Sequence, residues 1–305
     1  MSFAPVICVV GGINVDITGT AERALIRGDS NPGRVTLTLG GVGRNIAENL
    51  ARLGARVSMV TALGDDAHTA WIRRSCASLG IGLDASEVIP CTVTNTYLCI
   101  NEPEGDLAVA VSDMRSCDAI TPAFLAPRLD LLNRADAVVA DANLPEESIR
   151  WLAEHVRVPM AADPVSVRKS VRLLPALGRL LLLKPNRAEA EALTGIPDPE
   201  EAAASLVSAG VANAMVSLGA GGVWYASAAS AGLQPCLTAD IVSTNGCGDS
   251  FFAAALLALL RGASAAEAAL LGQSASAFCA RSMDAVNPDM TWPAVLAQAG
   301  LQAFN

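Results

Sequence analysis

The residues Gly246-Cys247-Gly248-Asp249 combine a glycine loop with an acid. They stand between an apolar run typical of a strand, residues 236–242, and a continuous apolar helix, residues 251–260. Glycines at such a junction let the backbone approach a ligand, and the free amides of a first helical turn can bind an anion. Asp249 would then place a base beside a phosphate. An ordinary turn with an acid in the first helical turn fits these four residues equally well.

The composition limits what the chain can bind. Of its 305 residues, 52% are hydrophobic and 17% are charged, and the net charge is −9. An acidic chain without a cluster of Lys and Arg disfavours nucleic acid and anionic membranes as partners. None of the eight cysteines forms a Cys-x-x-Cys pair and there are two histidines, so no zinc cluster is expected. The absence of a secretion signal, of a membrane-length apolar run and of paired thiols predicts a cytoplasmic location.

The order of the apolar segments predicts an α/β fold. Predicted strands lie at residues 6–10, 57–63, 137–140, 159–162, 180–183, 214–218 and 223–226. Predicted helices lie at residues 42–53, 68–79, 145–155, 169–177, from 186 onward, 251–260 and 265–281. Such alternation predicts a mainly parallel sheet covered by helices on both faces. Residues 1–305 therefore form one predicted domain, and the alternating, threonine-rich segments 17–39 and 91–112 form a small sheet inserted in it.

A second glycine loop precedes the first predicted helix. Gly40-Gly41-Val42-Gly43-Arg44-Asn45 could be a plain turn, but the pattern continues through Ala47, with Gly54 and Gly64 beyond. This pattern resembles the N-terminal signature of the ribokinase-like (PfkB) sugar kinase family. The loop at Gly246 resembles that family's C-terminal signature, Thr-x-Gly-Ala-Gly-Asp. Two signatures in the family's order are far more specific than either one alone.

The resemblance covers essentially the whole chain and implies a fold and an activity. The fold is a three-layer sandwich with a small β-sheet lid over the sugar, and the activity is transfer of a phosphoryl group from ATP to a hydroxyl. Asp249 would be the base, and the amides of Gly246, Cys247 and Gly248 would hold the migrating charge. The residues implied to orient the sugar are Asn14, Asp16, Gly41 and Asn45. Without the resemblance, Asn14 would be a turn residue after a strand.

The resemblance also implies a nucleotide side. Asn186 and Glu189 match the family's Asn-x-x-Glu motif, which organises Mg²⁺ and phosphate, although the same pair is a helix-capping pattern. Ser217, Gly219 and Gly222 match a stretch that approaches ATP and that could otherwise be only a hairpin turn. A monovalent cation such as K⁺, bound near residues 240–242, occurs in many family members.

Further strings resemble a pseudouridine-phosphorylating subgroup of the family. In that subgroup Ser30 and Asn31 would reach in from the lid, and Lys169 would lie near the nucleobase. The expected reaction is therefore phosphorylation of the ribose 5′-hydroxyl of a nucleoside, with pseudouridine as the expected acceptor. Lys184 matches no such role, and single lysines are usually solvated.

Three alternatives stay open. The first is another acceptor, such as ribose, cytidine, inosine or adenosine. The second is a catalytically silent nucleoside-binding sensor. The third is a dinucleotide-binding oxidoreductase suggested by Gly11-Gly12, which is disfavoured because those residues do not begin a G-x-G-x-x-G motif. A homodimer through the exposed edge of the lid is also expected as a possible assembly.

Two residues depart from the family pattern. Cys247 replaces alanine in the anion loop, and Ala255 replaces a larger apolar residue in the following helix. Because Cys247 stands at a helix N-terminus, its thiol is expected to have a lowered pKa and to be sensitive to oxidants and alkylating agents.

Overall fold

The computed structural model describes residues 4–237 and 240–301. The strands are β1 (Val6–Val10), β2 (Asn14–Ala21), β3 (Gly33–Gly40), β4 (Arg56–Val60), β5 (Ala62–Gly64), β6 (Glu87–Ile89), β7 (Asn95–Asn101), β8 (Leu107–Asp113), β9 (Ala137–Asp141), β10 (Met160–Asp163), β11 (Leu180–Leu183), β12 (Asn213–Ser217), β13 (Val223–Ser227) and β14 (Ala231–Gln234). The helices are α1 (Val42–Arg52), α2 (Ala67–Ser78), α3 (Arg115–Asp118), α4 (Pro122–Leu125), α5 (Leu129–Leu132), α6 (Glu146–His155), α7 (Val167–Ser170), α8 (Arg187–Thr194), α9 (Pro199–Ser208), α10 (Cys247–Leu260), α11 (Ala265–Cys279) and α12 (Trp292–Gln298).

Eight strands form the main sheet, in the order β4-β1-β9-β10-β11-β12-β13-β14. The six strands from β4 to β12 are mutually parallel, and β13 and β14 are antiparallel additions at one edge. The parallel strands are short and apolar, because helices cover them on both faces. The predicted α/β class and its mainly parallel sheet are confirmed.

Helices cover the main sheet on both faces and complete the three layers. Alternate residues of β1 enter different cores: Val9 packs with α1, α10 and α11, and Val10 packs with α6, α8 and α9. Ala255 is fully buried in the first of these cores, on α10. Because an interior this dense leaves no room for large shifts, the loops at the strand ends are held in fixed positions.

A separate four-stranded sheet has the order β3-β2-β7-β8. Paired residues of neighbouring strands point to the same face, so the register defines two surfaces. One face contains Asp16, which pairs with Thr38 and Tyr97. The other face contains Ile17, which pairs with Leu37 and Leu98. The small sheet therefore has one polar and one apolar surface.

Some predicted elements differ from those in the structure. The predicted strand 57–63 is divided into β4 and β5, and β5 pairs with β6, a strand that was not predicted. The predicted helix 169–177 consists of the short α7 and a 3₁₀ segment, Val171–Arg179, that contains Pro175. A proline inside a helix removes a hydrogen bond and clashes with the preceding turn, which accounts for the loss of α-helix there.

The prediction of a strand at residues 236–242 is also wrong for the five of these residues that the structure describes. Residues 236–237 and 240–242 are not in a strand, and residues 238–239 lie outside the described part of the chain. In the described ranges, no helix is both long enough and apolar enough to cross a membrane.

Candidate active site

The anion loop lies at the N-terminus of α10. Gly246 caps this helix in the left-handed conformation, with φ of 71°, and a Cβ at this position would overlap the carbonyl oxygen of Ala285. Only glycine fits both requirements. Among the described residues, the N–H groups of Gly246, Gly248 and Asp249 have no hydrogen-bond acceptor. These unpaired amides and the positive end of the helix dipole form an anion-binding site.

Asp249 lies in the first turn of α10 and points back toward α1. Its Oδ2 accepts a hydrogen bond of 2.9 Å from Nδ2 of Asn45. Burial, followed by the nearby carboxylate of Asp163, raises the pKa of Asp249 to about 8, although Asn45 and Lys184 act in the opposite direction. A carboxylate with a raised pKa is a stronger base than an exposed one, as proton abstraction from a hydroxyl requires.

The first glycine loop supports the two residues predicted to hold the sugar. Gly41 caps α1 with φ of 98°, and a Cβ there would lie 2.8 Å from the carbonyl oxygen of Gly12 and 3.2 Å from Oδ1 of Asn14. Gly40 packs equally closely against the carboxylate of Asp16. The start of α1, which includes Gly41, and the start of β2, which includes Asn14 and Asp16, therefore lie against each other.

Asn14 and Asp16 each have a buried oxygen that lacks a partner. Asn14 is 8% exposed, and neither its Oδ1 nor Oδ1 of Asp16 has a hydrogen-bond partner among the described residues. Burial raises the pKa of Asp16 to about 6, against the opposing charge of Arg44. Buried polar atoms are nearly always paired, so two adjacent unpaired acceptors indicate a site for a ligand that donates hydrogen bonds, such as a sugar hydroxyl.

Asp141 was missed as a site residue by the sequence reasoning. It ends β9, is fully buried, and its Oδ2 accepts hydrogen bonds of 3.1 Å from the N–H groups of both Gly12 and Gly43. Burial raises its pKa, while hydrogen bonds from the N–H groups of Gly12 and Asn143 act against the shift. Asp141 therefore ties the loop after β1 to the start of α1. The sequence signal was an acid at the end of a buried, apolar strand.

The residues predicted to contact the nucleobase are only partly assembled. Nζ of Lys169 donates a hydrogen bond of 2.6 Å to Oδ1 of the buried Asn143. Asn31 instead bonds to the backbone of Ile26, to its N–H at 2.8 Å and to its carbonyl at 3.0 Å. Ser30 is exposed in the same loop. Within the described residues, no hydrogen bond joins this loop to Lys169.

Asn186 and Glu189 form a helix cap at the start of α8. Oδ1 of Asn186 accepts from the N–H of Glu189 at 2.9 Å, and Oε2 of Glu189 accepts from the N–H of Asn186 at 2.8 Å. Burial raises the pKa of Glu189. Its Oε1 has no hydrogen-bond partner among the described residues. Among the residues that the structure describes, no three His, Cys, Asp or Glu residues form a metal-binding cluster. A cation at Glu189 would therefore bind mainly through water and phosphate.

A cavity of 390 Å³ lies between the β12–β13 turn and the start of α10. Ser217, Gly219 and Gly222 of the turn line one wall, and Cys247 and Gly248 line another. A cavity of this size fits a small ligand, and the unpaired amides of the anion loop lie at its edge. Three of the four residues predicted on the nucleotide side therefore share one cavity with Cys247 and Gly248 of the anion loop, whereas Asn186 does not line it.

The expectation of a lowered pKa for the Cys247 thiol is wrong. The neighbouring thiol of Cys279 and burial both raise the pKa of Cys247, while the pKa of Cys279 is lowered. The thiol of Cys247 also lies 3.5 Å from the carbonyl oxygen of Ser276. The effect of the helix N-terminus is therefore outweighed by a neighbour 32 positions away on α11, which the local sequence did not reveal.

Lys184 is also not solvated as the sequence reasoning assumed. It follows β11, is 7% exposed and lines the same cavity as Ser217. The composition could have indicated these residues, because Lys169 and Lys184 are the only two lysines of the chain. Both lie in polar clusters at the carboxyl ends of the parallel strands, where α/β proteins bind their ligands.

An acid beside unpaired amides, two unpaired acceptors and an adjoining cavity lie together at the start of α10 and the loops around it. A family model for the pfkB family carbohydrate kinases matches residues 5–292. The pseudouridine kinase of Escherichia coli (strain K12) is 32% identical over 292 residues, covering 93% of this chain and 93% of that protein. The chain belongs to the pfkB family of carbohydrate kinases, which are phosphotransferases with an alcohol acceptor.

Solved structures agree with this assignment. A carbohydrate kinase from Agrobacterium tumefaciens has a TM-score of 0.88 at 31% identity, with 97% of each chain covered. A ribokinase from Arabidopsis thaliana, solved with ribose and ATP, has a TM-score of 0.86 at 24% identity, covering 98% of this chain and 100% of that one. The ribokinase-like fold inferred from the two glycine signatures is confirmed, and kinases of this family use ATP.

Proposed function

We propose that the protein transfers the γ-phosphoryl group of ATP to the ribose 5′-hydroxyl of a nucleoside, with pseudouridine as the acceptor. The observation that carries the proposal is the connection from the unpaired oxygens of Asn14 and Asp16, through the first glycine loop, to the Asn45–Asp249 hydrogen bond. In the proposed reaction, the acceptors for sugar hydroxyls would lie on the same side as the base. The free amides of the anion loop adjoin that base, where a phosphoryl group would arrive.

Each residue has a defined task in this reaction. Asn14, Asp16, Gly41 and Asn45 orient the ribose. Asp249 accepts the proton as the hydroxyl oxygen bonds to phosphorus. The unpaired amides of Gly246 and Gly248 hold the charge of the migrating group, together with the amide of Cys247, whose bond of 3.4 Å to the carbonyl oxygen of Thr244 is long. Loss of one such contact costs about a hundredfold or more in rate.

Glu189 and Asn186 are the residues that would organise Mg²⁺ at the phosphates. Only Oε2 of Glu189 is engaged in the helix cap, and the described residues around it form no cluster of metal ligands, which fits a cation that keeps most of its water. When bound, Mg²⁺ neutralises phosphate charge. A monovalent cation near residues 240–242 remains a prediction, and part of that loop, residues 238–239, lies outside the described chain.

The choice of pseudouridine is supported by Lys169 and by the similarity to a pseudouridine kinase. A lysine ammonium is a donor without acceptors, which suits a carbonyl oxygen of a uracil ring. Ser30 and Asn31 would reach this base only after the loop between β2 and β3 moves, as a closing lid does. Closure would also exclude water, which competes as the phosphoryl acceptor.

A panel assay tests the acceptor. Pseudouridine, uridine, cytidine, adenosine, inosine and ribose are compared by kcat/KM with MgATP. We expect the highest value for pseudouridine. A higher value for ribose or for an N-linked nucleoside would overturn the acceptor while leaving the kinase reaction intact. No ATP consumption with any of them would favour a nucleoside-binding sensor instead.

The base is tested with Asp249→Asn. We expect turnover to fall by about 10²- to 10⁴-fold, as general-base catalysis contributes, while nucleoside affinity measured by calorimetry is retained. Asp130→Asn is the matched control, because Asp130 is exposed on α5. A near-normal kcat in Asp249→Asn would contradict the role of Asp249.

We further propose a homodimer through the small sheet, formed by its apolar face rather than by its edge. Leu37, Ile17, Leu98 and Val111 lie in one row across all four strands, in register. Leu37, Leu98 and Val111 are exposed, Val111 at 62%. A contiguous exposed apolar surface of this kind is typical of an interaction site, and a second copy of the same face is complementary to it.

Light scattering after size exclusion tests the dimer. We expect the wild type to be dimeric and Leu98→Asp to be monomeric. Thr36→Asp is the control, because Thr36 pairs with Thr18 on the polar face. A monomeric wild type would refute the dimer, and a dimeric Leu98→Asp would refute this face.

All eight cysteines are free in the described structure, which supports the predicted reducing, cytoplasmic location.

A further inference from the structure

Lys184 is a buried cation whose position is not explained by packing. It is the first residue after β11, at the carboxyl end of a central parallel strand, and is 7% exposed. Lysine is almost never this buried unless it is paired, since an ammonium loses its hydration when it leaves water. The burial of Lys184 therefore calls for a partner.

Its carboxylate neighbour does not fully provide one. Nζ of Lys184 lies 3.7 Å from Oδ2 of Asp163, which is longer than the 2.7–2.9 Å typical of a charge-assisted hydrogen bond. Oδ1 of Asp163 accepts instead from the N–H of Val165 at 2.8 Å. No hydrogen bond from the Lys184 ammonium to any described residue is present. The ammonium thus has free donors.

Those donors lie beside the anion loop. A Cβ built on Gly248 would be 3.2 Å from Nζ of Lys184, so the ammonium lies against the first turn of α10. The same lysine lines the 390 Å³ cavity together with Ser217 and Gly219. Its charge also acts on both Asp249 and Glu189. Lys184 is therefore located between the base and the nucleotide cavity.

We propose that Lys184 is a catalytic residue whose ammonium donates a hydrogen bond to an oxygen of the phosphoryl group in transfer. This inference rests on the proposed kinase function and adds a side-chain cation to the amides of the loop. The acceptor oxygen bonds to Pγ, the bond from Pγ to the leaving ADP oxygen breaks, and the hydroxyl proton passes to Asp249. Lys184 keeps its proton throughout and stabilises the charge on the transferred group.

The choice of lysine fits this role. The chain has 21 Lys and Arg residues together, and 19 of them are arginine, so lysine at this position is not a matter of general usage. Arginine presents a broad planar fork, whereas lysine is a compact point charge on a flexible stem. The ammonium lies beside both Gly248 and Asp163, and its flexible stem would let it follow a phosphoryl group as it moves.

The test compares Lys184→Met with the wild type, using the alcohol acceptor that the wild type phosphorylates best. We expect kcat to fall about a hundredfold or more, with the KM for the acceptor changed less than about threefold. Asp163→Asn is the matched variant, since it removes the neighbouring charge and leaves the ammonium in place. It should retain far more activity than Lys184→Met. Equal losses in the two variants would show that Lys184 serves only to balance Asp163, and would overturn the proposal.

Two further readouts separate catalysis from structure. Affinity for ADP with aluminium fluoride, a mimic of the group in transfer, should fall in Lys184→Met by about the same factor as kcat, while affinity for ADP alone is unchanged. Activity of Lys184→Ala should recover when methylammonium or ethylammonium is added. Unchanged affinity for the mimic, or a kcat within about threefold of wild type, would refute the role. If the wild type phosphorylates ribose but no nucleoside, the proposed acceptor fails while this test still runs with ribose.

Discussion

Replacing Asn45 by leucine removes the hydrogen bond that holds Asp249 in its reactive form. The bond from Nδ2 of Asn45 to Oδ2 of Asp249 is 2.9 Å long, and it is the only one that reaches this carboxylate from the described residues. It favours the charged form and therefore lowers the pKa, which burial has raised to about 8. Leucine has the same branched arrangement of heavy atoms, a larger volume and no donor. The carboxylate would then be buried without support.

The size of the effect follows from the kind of bond. A hydrogen bond to a charged group contributes about 1.5–3 kcal/mol, and a pKa change of one corresponds to about 1.4 kcal/mol. The base must be deprotonated, so kcat/KM rises as the pH rises through the pKa of Asp249 and then levels off. In Asn45→Leu this rise should move to higher pH by about one to two pH units. At neutral pH, kcat/KM should fall about ten- to a hundredfold.

The assay is the pH profile of kcat/KM for the acceptor at saturating MgATP. Asn45 is also proposed to contact ribose, and loss of that contact lowers kcat/KM equally at every pH. A shift of the rise along the pH axis reports the bond to Asp249 alone. Asn45→Asp should shift the rise further, because a second carboxylate disfavours charge on the first. A profile of Asn45→Leu that is lowered but not displaced would refute the assignment of the bond.

Two other predictions follow from the anion loop. Gly246→Ala should lower the free energy of unfolding, measured in urea, by about 2–4 kcal/mol, because a Cβ overlaps the carbonyl of Ala285 and φ is 71°. Gly262→Ala is the control: φ there is 88° and the space around the site is open, so the loss should be only about 1 kcal/mol. Equal losses in the two variants would contradict the overlap. Cys247→Ala should retain activity. Iodoacetamide at neutral pH should leave the wild type active, because the raised pKa keeps the Cys247 thiol protonated. Rapid inactivation of the wild type that is absent in Cys247→Ala would contradict an unreactive thiol.

The fold was predictable because its signal is local. Each strand of the parallel sheet is a short apolar run, such as Leu180–Leu183, and β9, β10 and β11 are each followed by a helical segment. The strands that were missed are those whose existence depends on pairing with another strand. β6 has three residues and exists by pairing with β5, and β14 exists by pairing with β13. Neither has an alternating pattern long enough to be recognised alone.

The site was predictable where one short segment supplies both backbone shape and side chain. The loop at Gly246 and the loop at Gly41 are of this kind. Asp141 and Lys184 were missed because their partners are far along the chain: Asp141 bonds to Gly12 and Gly43, and Lys184 lies against Gly248. Their roles depend on the order of the strands in the sheet, which short motifs do not specify.

That order explains how the two substrates can meet. On one side of the site, Asn14 begins β2 shortly after β1, and Asp141 ends β9. On the other side, Lys184 follows β11 and Ser217 ends β12. β10 lies between these pairs and ends in Asp163. The N-terminus of α10 therefore has the acceptor residues on one side and the nucleotide cavity on the other. An in-line transfer needs this arrangement, with the attacking and leaving oxygens on opposite sides of phosphorus. In the proposed reaction, the charges at the centre, Asp249 and Lys184, act on the proton that leaves and on the phosphoryl group that moves.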